Sequence, residues 1–246
     1  MVRPVKLFYT AAPCFTLEAT PAMLRKKILL NGAFGRMGQQ VQQALQDHPD
    51  FVVVAQLGRQ DHLARAIQQY TPDIVLDFTT AQCVWENAQI LLEHPVYPII
   101  GTSGLTKEQI NYIIDQSKQK KQGGLIVPNF SLGAILQMRC AQMIARYFQK
   151  AEIIEAHHEK KRDAPSATAL ATAEKIQGAC AIPIHSIRLP GLIARQEIIF
   201  GAEAETLTLV HHVLNRDVYL PGVLLACQKV SGLPYIHYGL DICLDF

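Results

Sequence analysis

The feature that most constrains the fold is a short apolar run that leads directly into a glycine-rich turn and a helical pattern. Residues 27–31 read Lys-Ile-Leu-Leu-Asn, the next seven read Gly-Ala-Phe-Gly-Arg-Met-Gly, and apolar residues recur at Val41, Ala44 and Leu45. This order is typical of a dinucleotide-binding unit, since glycines let the backbone approach a pyrophosphate and the helix start supplies N–H donors. The spacing is G-x-x-G-x-x-G rather than G-x-G-x-x-G, so a purely structural turn is the alternative.

The alternation of strand and helix continues to about residue 130. Further buried strands are predicted at 51–57, 73–80, 97–100 and 124–127. Helical patterns lie between them, at 63–69, 84–93 and 106–117. This alternation predicts a doubly wound parallel sheet, whose ligands bind at the carboxyl ends of the strands.

From residue 131 the pattern changes. A long helical pattern at 135–148 precedes apolar runs at 151–156, 184–190, 197–201 and 206–211. These runs predict an open mixed sheet. Residues 221–229 and the tail that follows are predicted to return to the first sheet.

One segment of the second half concentrates ionisable residues. Residues 155–168 read Glu-Ala-His-His-Glu-Lys-Lys-Arg-Asp-Ala-Pro-Ser-Ala-Thr, between a predicted strand and a helix that Ser166 or Thr168 can cap. Side chains and helix-start N–H groups converge on anions in such connections, although a solvated basic loop is the alternative. His157 titrates near neutrality and Lys161 is a compact cation that can release a proton, so both suit acid–base chemistry.

Composition excludes several classes of partner. The formal net charge of +2 gives no case for binding nucleic acid or a membrane, and no apolar run reaches the ~20 residues of a bilayer span. The six cysteines are scattered without zinc spacing, which is typical of free thiols in the cytoplasm, and no metal site is predicted. Residues 1–22 precede a second possible start at Met23, and we interpret them as a poorly ordered extension or an artefact of start-site assignment.

Several segments, in this order along the chain, resemble the 4-hydroxy-tetrahydrodipicolinate reductases (dihydrodipicolinate reductases). They are Gly32–Gly38, Asp77–Thr79, Gly101–Gly104, Asn129–Ser131, residues 155–158 with Lys161 and residues 163–166, and Pro221–Val223. The resemblance implies a Rossmann-like doubly wound parallel sheet plus a second α+β domain with an open mixed sheet. It also implies an NAD(P)H-dependent oxidoreductase that converts 4-hydroxy-tetrahydrodipicolinate to tetrahydrodipicolinate in diaminopimelate and lysine biosynthesis.

The resemblance also assigns roles to individual residues. It implies a catalytic pair of His157 and Lys161, and a substrate-binding set of His158, Lys161, Ala167 and Thr168. Cofactor contacts are implied for Gly32, Ala33, Phe34, Gly35, Arg36, Met37, Arg59, Gly101, Thr102, Ser103, Val127, Pro128, Asn129 and Phe130. We expect Lys161 to be the principal proton donor, with the division between Lys161 and His157 left open. Ala167 replaces a glycine of the family pattern, so its backbone must accept a Cβ.

The choice of cofactor depends on the end of the second predicted strand. Gly58-Arg59 stands there, where an acidic residue would bind a ribose 2′-hydroxyl. A guanidinium suits a 2′-phosphate, so we expect NADPH to be preferred over NADH, with an ordinary surface arginine as the alternative.

The resemblance further suggests the organisation of the chain. We expect a dinucleotide-binding domain at 23–130 and 217–246, and a substrate-binding and oligomerisation domain at 131–216. The family is commonly tetrameric through the mixed sheet, so a homotetramer is expected. Two other hypotheses are another two-domain dehydrogenase, of the aspartate or homoserine type, and a nucleotide-binding module without catalysis.

Overall fold

A computed structural model of the protein describes residues 25–176 and 181–244, so the predicted extension at 1–22 lies outside the described residues. The strands are β1 (Lys26–Asn31), β2 (Phe51–Leu57), β3 (Ile74–Asp77), β4 (Tyr97–Ile100), β5 (Gly124–Ile126), β6 (Lys150–His157), β7 (Ile184–Arg188), β8 (Ala194–Gly201), β9 (Thr206–Val213) and β10 (Ile236–Tyr238). The helices are α1 (Arg36–Leu45), α2 (Leu63–Tyr70), α3 (Val84–Leu92), α4 (Lys107–Lys120), α5 (Leu132–Ile144), α6 (Ala167–Ile176) and α7 (Leu220–Lys229). Short 3₁₀ turns lie at Arg216–Tyr219, Val230–Gly232 and Asp241–Cys243.

The first sheet has six parallel strands in the order β10-β5-β4-β3-β1-β2. Its central strands are buried on both faces; Ile28, Leu29 and Leu30 of β1, for example, have no exposed surface. Helices cover both faces, which is why these strands read as continuous apolar runs instead of alternating ones. The predicted doubly wound parallel sheet is confirmed. The third strand is shorter than predicted, because it ends at Asp77 and residues 78–80 form the loop that follows.

The glycine-rich turn joins β1 to α1. Gly32 has a φ of +84°, a conformation that favours glycine, and a Cβ there would lie 2.3 Å from the carbonyl oxygen of Phe78. Gly38, in the first turn of α1, packs on Gly32 so closely that a Cβ would lie 2.3 Å from the Gly32 carbonyl oxygen. These two glycines bring the start of α1 against the carboxyl end of β1.

The second sheet has four strands in the order β7-β6-β8-β9, with β6 parallel to β7 and antiparallel to β8. This confirms the predicted open mixed sheet. Helices α5 and α6 cover one face, where Ile153, Ile198 and Phe200 pack with Ala141 and Ala169. The opposite face exposes apolar side chains that include Ile187 and Val210.

Several element boundaries differ from the sequence prediction. Helix α5 begins at Leu132 instead of residue 135, because the Ser131 hydroxyl accepts from the Ala134 N–H and caps the helix start. It ends at Ile144, four residues before the predicted end. Helix α4 begins with a capping box, in which Thr106 and Gln109 each accept a hydrogen bond from the other's backbone N–H. Among the residues described, no helix has the length and apolar character needed to cross a bilayer.

A substitution at Gly38 tests the close packing of α1 on the glycine-rich turn. Alanine favours a helix interior over glycine by ~1 kcal/mol, but the added Cβ would meet backbone atoms that cannot rotate away. We therefore expect Gly38→Ala to lower the free energy of unfolding by about 1–3 kcal/mol, measured by urea denaturation. In Gly201→Ala, the matched control, the Cβ meets nothing within 4 Å, so unchanged or higher stability is expected. Equal stability of both variants would contradict the packing argument.

Candidate active site

A cleft of about 580 Å³ lies where the carboxyl edge of the parallel sheet faces the connection between β6 and α6. The sheet side contributes predicted cofactor residues, namely Met37, Gly101, Thr102, Ser103, Val127, Pro128, Asn129 and Phe130. The opposite side contributes the predicted catalytic and substrate residues, namely His157, His158, Lys161, Ala167 and Thr168. The fold therefore brings two groups of residues that are distant in sequence to the same cavity.

The remaining predicted cofactor residues continue from the cleft along the sheet edge. Gly32, Ala33, Phe34, Gly35 and Arg36 follow the end of β1, and Arg59 follows the end of β2, outside the lining of the cleft. Because β1 and β2 are adjacent parallel strands, these residues lie side by side at one edge of the sheet. An extended ligand is needed to contact both this edge and the cleft.

A buried carboxylate organises the sheet side of the cleft. Asp77 is fully buried at the end of β3 and accepts hydrogen bonds from the side chains of Asn31, Thr79, Asn87 and Thr102. The Thr102 hydroxyl lies 2.5 Å from Asp77 Oδ1, and the Thr79 hydroxyl lies 2.7 Å from the same oxygen. Asp77 thereby ties together the ends of β1, β3 and β4.

The start of α1 fits a pyrophosphate. Its N-cap is Gly35, which has no side chain to bond to the first N–H groups, and the first turn contains no acidic residue. The first N–H groups of a helix have no intrahelical acceptor, and the helix dipole favours an anion there. Nearby, a Cβ on Gly101 would collide with the rings of Phe78 and Phe130, so the glycine leaves room for both rings in the cleft wall. These observations fit a dinucleotide bound along the sheet edge.

A carboxylate does lie at the end of β2, although neither Gly58 nor Arg59 supplies it. Asp61 Oδ2 accepts a 2.7 Å hydrogen bond from the Gly58 N–H, so Asp61 folds back toward the strand end. A Cβ at position 58 would lie 2.9 Å from the Phe34 ring, so a side chain there would require this exposed ring to move. The acidic group thus comes from a loop residue three positions downstream, and it lies close in sequence to Arg59.

The start of α6 forms part of the opposite wall. Of the two candidate caps it is Ser166 that accepts from a helix N–H, that of Ala169, at 3.2 Å. Ala167 is the first residue of α6 and has no positive φ, so its backbone accepts a Cβ without strain. Ala167 and Thr168 both line the cleft, where the first turn of the helix presents N–H donors.

Behind this wall lies a hydrogen-bonded cluster around Glu155, which has no exposed surface. Arg188 of β7 donates from Nη2 to Glu155 Oε1 at 2.7 Å and from Nη1 to Oε2 at 3.1 Å. His157 Nδ1 lies 2.5 Å from Glu155 Oε2, and the Ser166 N–H donates to Oε1 at 3.3 Å. Arg188 also donates to the Asp163 carbonyl oxygen, so the cluster anchors the connection that carries Lys161.

The ionisation of this cluster follows from burial and hydrogen bonding. Burial alone would raise the pKa of Glu155, but hydrogen bonds from Arg188, Ser186 and His157 outweigh it and lower this pKa. Burial lowers the pKa of His157, Glu155 partly offsets that effect, and the charges of Lys161 and Arg188 lower it further. At neutral pH the cluster therefore contains a carboxylate, a guanidinium and an uncharged imidazole.

Lys161 presents a cationic side chain at the cleft. Its ammonium lies 2.6 Å from Asp163 Oδ2, and its side chain is 23% exposed. The hydrogen bond from Lys161 lowers the pKa of the Asp163 carboxyl. The neighbouring Lys160 and Arg162 are exposed and do not line the cleft.

Some cleft residues were not predicted as site residues. They are Phe78, Thr79, Thr80, Ala81, Ser166, Ile193, Ala194, Arg216 and Tyr219. The third predicted strand ends in the polar residues Thr79 and Thr80, and this polar end is the sequence signal for both positions. Arg188 had no local sequence signal, because its partner Glu155 lies 33 residues earlier in the chain.

Comparisons with known proteins identify the family. Residues 26–130 match the family model described as dihydrodipicolinate reductase, N-terminus, and residues 133–244 match the one described as dihydrodipicolinate reductase, C-terminus. The chain belongs to the dihydrodipicolinate reductase family. The family assignment implied by the sequence segments is thus confirmed.

Relatives within this family cover nearly the whole chain. The chain is 45% identical over 240 residues to 4-hydroxy-tetrahydrodipicolinate reductase of Legionella pneumophila (strain Paris), covering 89% of this chain and 99% of the relative. Its identity to the reductase of the same name from Coxiella burnetii (strain Dugway 5J108-111) is 44% over 232 residues, covering 87% and 97%. Dipicolinate-bound dihydrodipicolinate reductase from Paenisporosarcina sp. TG-14 superposes with a TM-score of 0.82 at 34% identity, covering 90% of this chain and 100% of that one.

Proposed function

We propose that this protein is a 4-hydroxy-tetrahydrodipicolinate reductase that uses NAD(P)H in diaminopimelate and lysine biosynthesis. The observation that carries the proposal is the shared cleft, in which a dinucleotide-binding sheet edge faces His157, His158 and Lys161. The reductases of this name in L. pneumophila and C. burnetii support it, because they match the chain over nearly their whole length.

The first role of the chain is to hold the reduced cofactor. The turn from Gly32 to Met37 is proposed to bind the pyrophosphate at the start of α1, and the cleft wall from Val127 to Phe130, with Gly101 to Ser103, to hold the nicotinamide end. A bound reduced nicotinamide supplies a hydride to an electron-poor carbon. Positioning two reactants in this way can contribute on the order of 7–11 kcal/mol to catalysis in ideal cases.

The second role is to bind a substrate with two carboxylates. His158, Lys161 and the first residues of α6, Ala167 and Thr168, are the proposed anion contacts. The helix start provides N–H donors and a favourable dipole, and Lys161 provides a positive charge. Arg216 lines the same cleft and adds a guanidinium, which suits planar carboxylate recognition.

The third role is to supply a proton. Conversion of 4-hydroxy-tetrahydrodipicolinate to tetrahydrodipicolinate removes one oxygen atom, so a hydride and a proton are added and water is released. Lys161 is the proposed principal donor, because it is a cation at the cleft. His157 has a lowered pKa and is uncharged at neutral pH, so it is proposed to orient the reacting groups.

A lysine substitution with a neighbouring control tests this assignment. We expect Lys161→Ala to reduce kcat by ~10²-fold or more, while NADPH still binds, because the proton donor and one carboxylate contact are lost together. The measurement is NADPH oxidation with freshly generated 4-hydroxy-tetrahydrodipicolinate, together with NADPH binding by fluorescence. Lys160→Ala, which removes an exposed cation one residue away, is expected to retain normal turnover. Normal turnover of Lys161→Ala would exclude Lys161 as the donor.

The same assay separates the other hypotheses. Hydride consumption with aspartate or homoserine pathway substrates, and none with 4-hydroxy-tetrahydrodipicolinate, would indicate another two-domain dehydrogenase. Cofactor binding without turnover of any of these substrates would indicate a binding module. The presence of His157, His158 and Lys161 together at the cleft favours the reductase.

We propose that NADPH is preferred over NADH, because Arg59 lies at the end of β2 where a 2′-phosphate would be bound. Arg59→Ala should weaken NADPH binding by about 10–100-fold, the value of one charged hydrogen bond, and leave NADH binding unchanged. Dissociation constants for both cofactors, measured by fluorescence titration, check this. Arg65→Ala, on the exposed side of α2, serves as the control and should bind both cofactors normally. If Arg59→Ala weakened the binding of NADPH and NADH equally, Arg59 would not be a contact of the 2′-phosphate.

We also propose that the chain divides into a dinucleotide-binding domain, at 23–130 and 217–246, and a substrate-binding domain at 131–216 that forms a homotetramer. The exposed face of the mixed sheet supports this, since Val210 and Ile187 are 52% and 38% exposed there. Val210→Glu is expected to reduce the particle mass measured by light scattering, because a charge would be buried between subunits. Leu136→Glu, on an exposed position of α5, should leave the mass unchanged. A monomeric wild-type protein would refute the oligomer.

A further inference from the structure

The cluster behind His157 contains a carboxylate that the proposed reaction does not use directly. Glu155 has no exposed surface, and its two oxygens accept from Arg188, His157 and the Ser166 N–H. Burial of a carboxylate without partners costs much free energy. The hydrogen bonds to Glu155 offset this cost and favour its ionised form. What Glu155 does for the site depends on which nitrogen of His157 it contacts.

The contact is to Nδ1, at 2.5 Å. A carboxylate is an acceptor only, so the hydrogen in this bond belongs to the imidazole and Nδ1 is protonated. In an uncharged imidazole the other nitrogen, Nε2, then carries a lone pair. His157 lines the cleft, so Nε2 is the ring atom available to a bound substrate.

Arg188 fixes the carboxylate in place. Its guanidinium spans both Glu155 oxygens, and the same side chain donates to the Asp163 carbonyl oxygen at 2.7 Å. Such bidentate pairs restrict orientation as well as adding energy. Arg188 also keeps Glu155 ionised, so that the carboxylate accepts from His157 instead of donating a proton to it.

We propose that Glu155, held by Arg188, is a positioning residue that fixes His157 in the Nδ1-protonated tautomer and presents Nε2 to the substrate as a hydrogen-bond acceptor. This inference rests on the proposed reductase function and assigns separate roles to His157 and Lys161, the two residues of the proposed catalytic pair. A resting His157 with a lone pair on Nε2 accepts a hydrogen bond but donates no proton from that atom. Proton donation therefore falls to Lys161.

Several charged or titratable groups lie around His157 or line the same cavities. They are Glu155 on its own strand, Arg188 on β7, His158 and Lys161 in the connection, Arg195 on β8 and His211 on β9. The negative charge of Glu155 raises the pKa of His157, whereas the positive charges of Lys161 and Arg188 lower it. Removal of the Glu155 charge should therefore move the titration of His157 to lower pH.

The first test uses the wild-type protein and needs no turnover. Nitrogen-15 NMR of histidine-labelled protein, with the His157 signals assigned from the His157→Gln spectrum, reports the tautomer at pH values above the His157 titration. A protonated Nδ1 and an unprotonated Nε2 are expected. An Nε2-protonated tautomer would overturn the proposal, whether or not the protein reduces 4-hydroxy-tetrahydrodipicolinate.

The second test is Glu155→Gln in the same assays. The amide can turn its N–H groups toward His157, so the tautomer should switch to Nε2-protonated and the titration of His157 should move to lower pH. We expect kcat to fall by about 10–100-fold, as for other residues that orient a histidine, with NADPH binding unchanged. Full activity with the wild-type tautomer would refute the role; if this variant does not fold, the wild-type spectrum alone decides.

The chain contains a matched control on the same strand. Glu152 pairs with His185 at 2.8 Å, but both side chains are more than half exposed and neither lines the cleft. Glu152→Gln removes a carboxylate–histidine pair of the same type and should leave kcat, the pH profile and the His157 tautomer unchanged. An inactive wild-type protein with the expected tautomer would refute the proposed function and leave the geometry of Glu155 intact.

Discussion

The Glu155 carboxylate is the interaction on which the second half of the site depends. It is buried between β6, β7 and the start of α6, and each of these elements supplies one of its donors, His157, Arg188 and the Ser166 N–H. Loss of one partner from a buried ion pair typically costs about 3–5 kcal/mol, because the other charge is left without compensation. The network is thus both a support for the fold and the frame that holds the connection with Lys161 near the sheet edge.

Asp77 has a corresponding position on the other side of the cleft. It collects hydrogen bonds from the ends of three neighbouring strands and places Thr79 and Thr102 at the cleft wall. Each wall is therefore organised by one fully buried acidic residue with complete hydrogen bonding. Such networks make the two walls locally rigid, which a hydride transfer between separately bound partners requires.

The glycine-rich turn packs against the end of β2, and this contact accompanies departures from the common sequence pattern at both places. Phe34 stands where the common pattern has glycine, and its ring occupies the space that a side chain at position 58 would need. A glycine at position 58 leaves room for this ring, and the acidic group at the strand end comes instead from Asp61 in the following loop. A carboxylate and the Arg59 guanidinium thus follow the same strand end, a combination that the sequence spacing alone did not indicate.

The sequence by itself determined the fold class, the segments that resemble the reductase family, and His157, His158 and Lys161 as candidate site residues. It did so because hydrophobic periodicity, turn chemistry and the 155–168 segment are local properties of the chain. Boundaries were less accurate, as at α5, where a cap at Ser131 extends the helix start. Only the tertiary structure decided that Arg188 holds Glu155, that Asp61 reaches Gly58 and that Arg216 lines the cleft. These contacts depend on strand register, loop conformation and packing between distant segments, which no local pattern encodes.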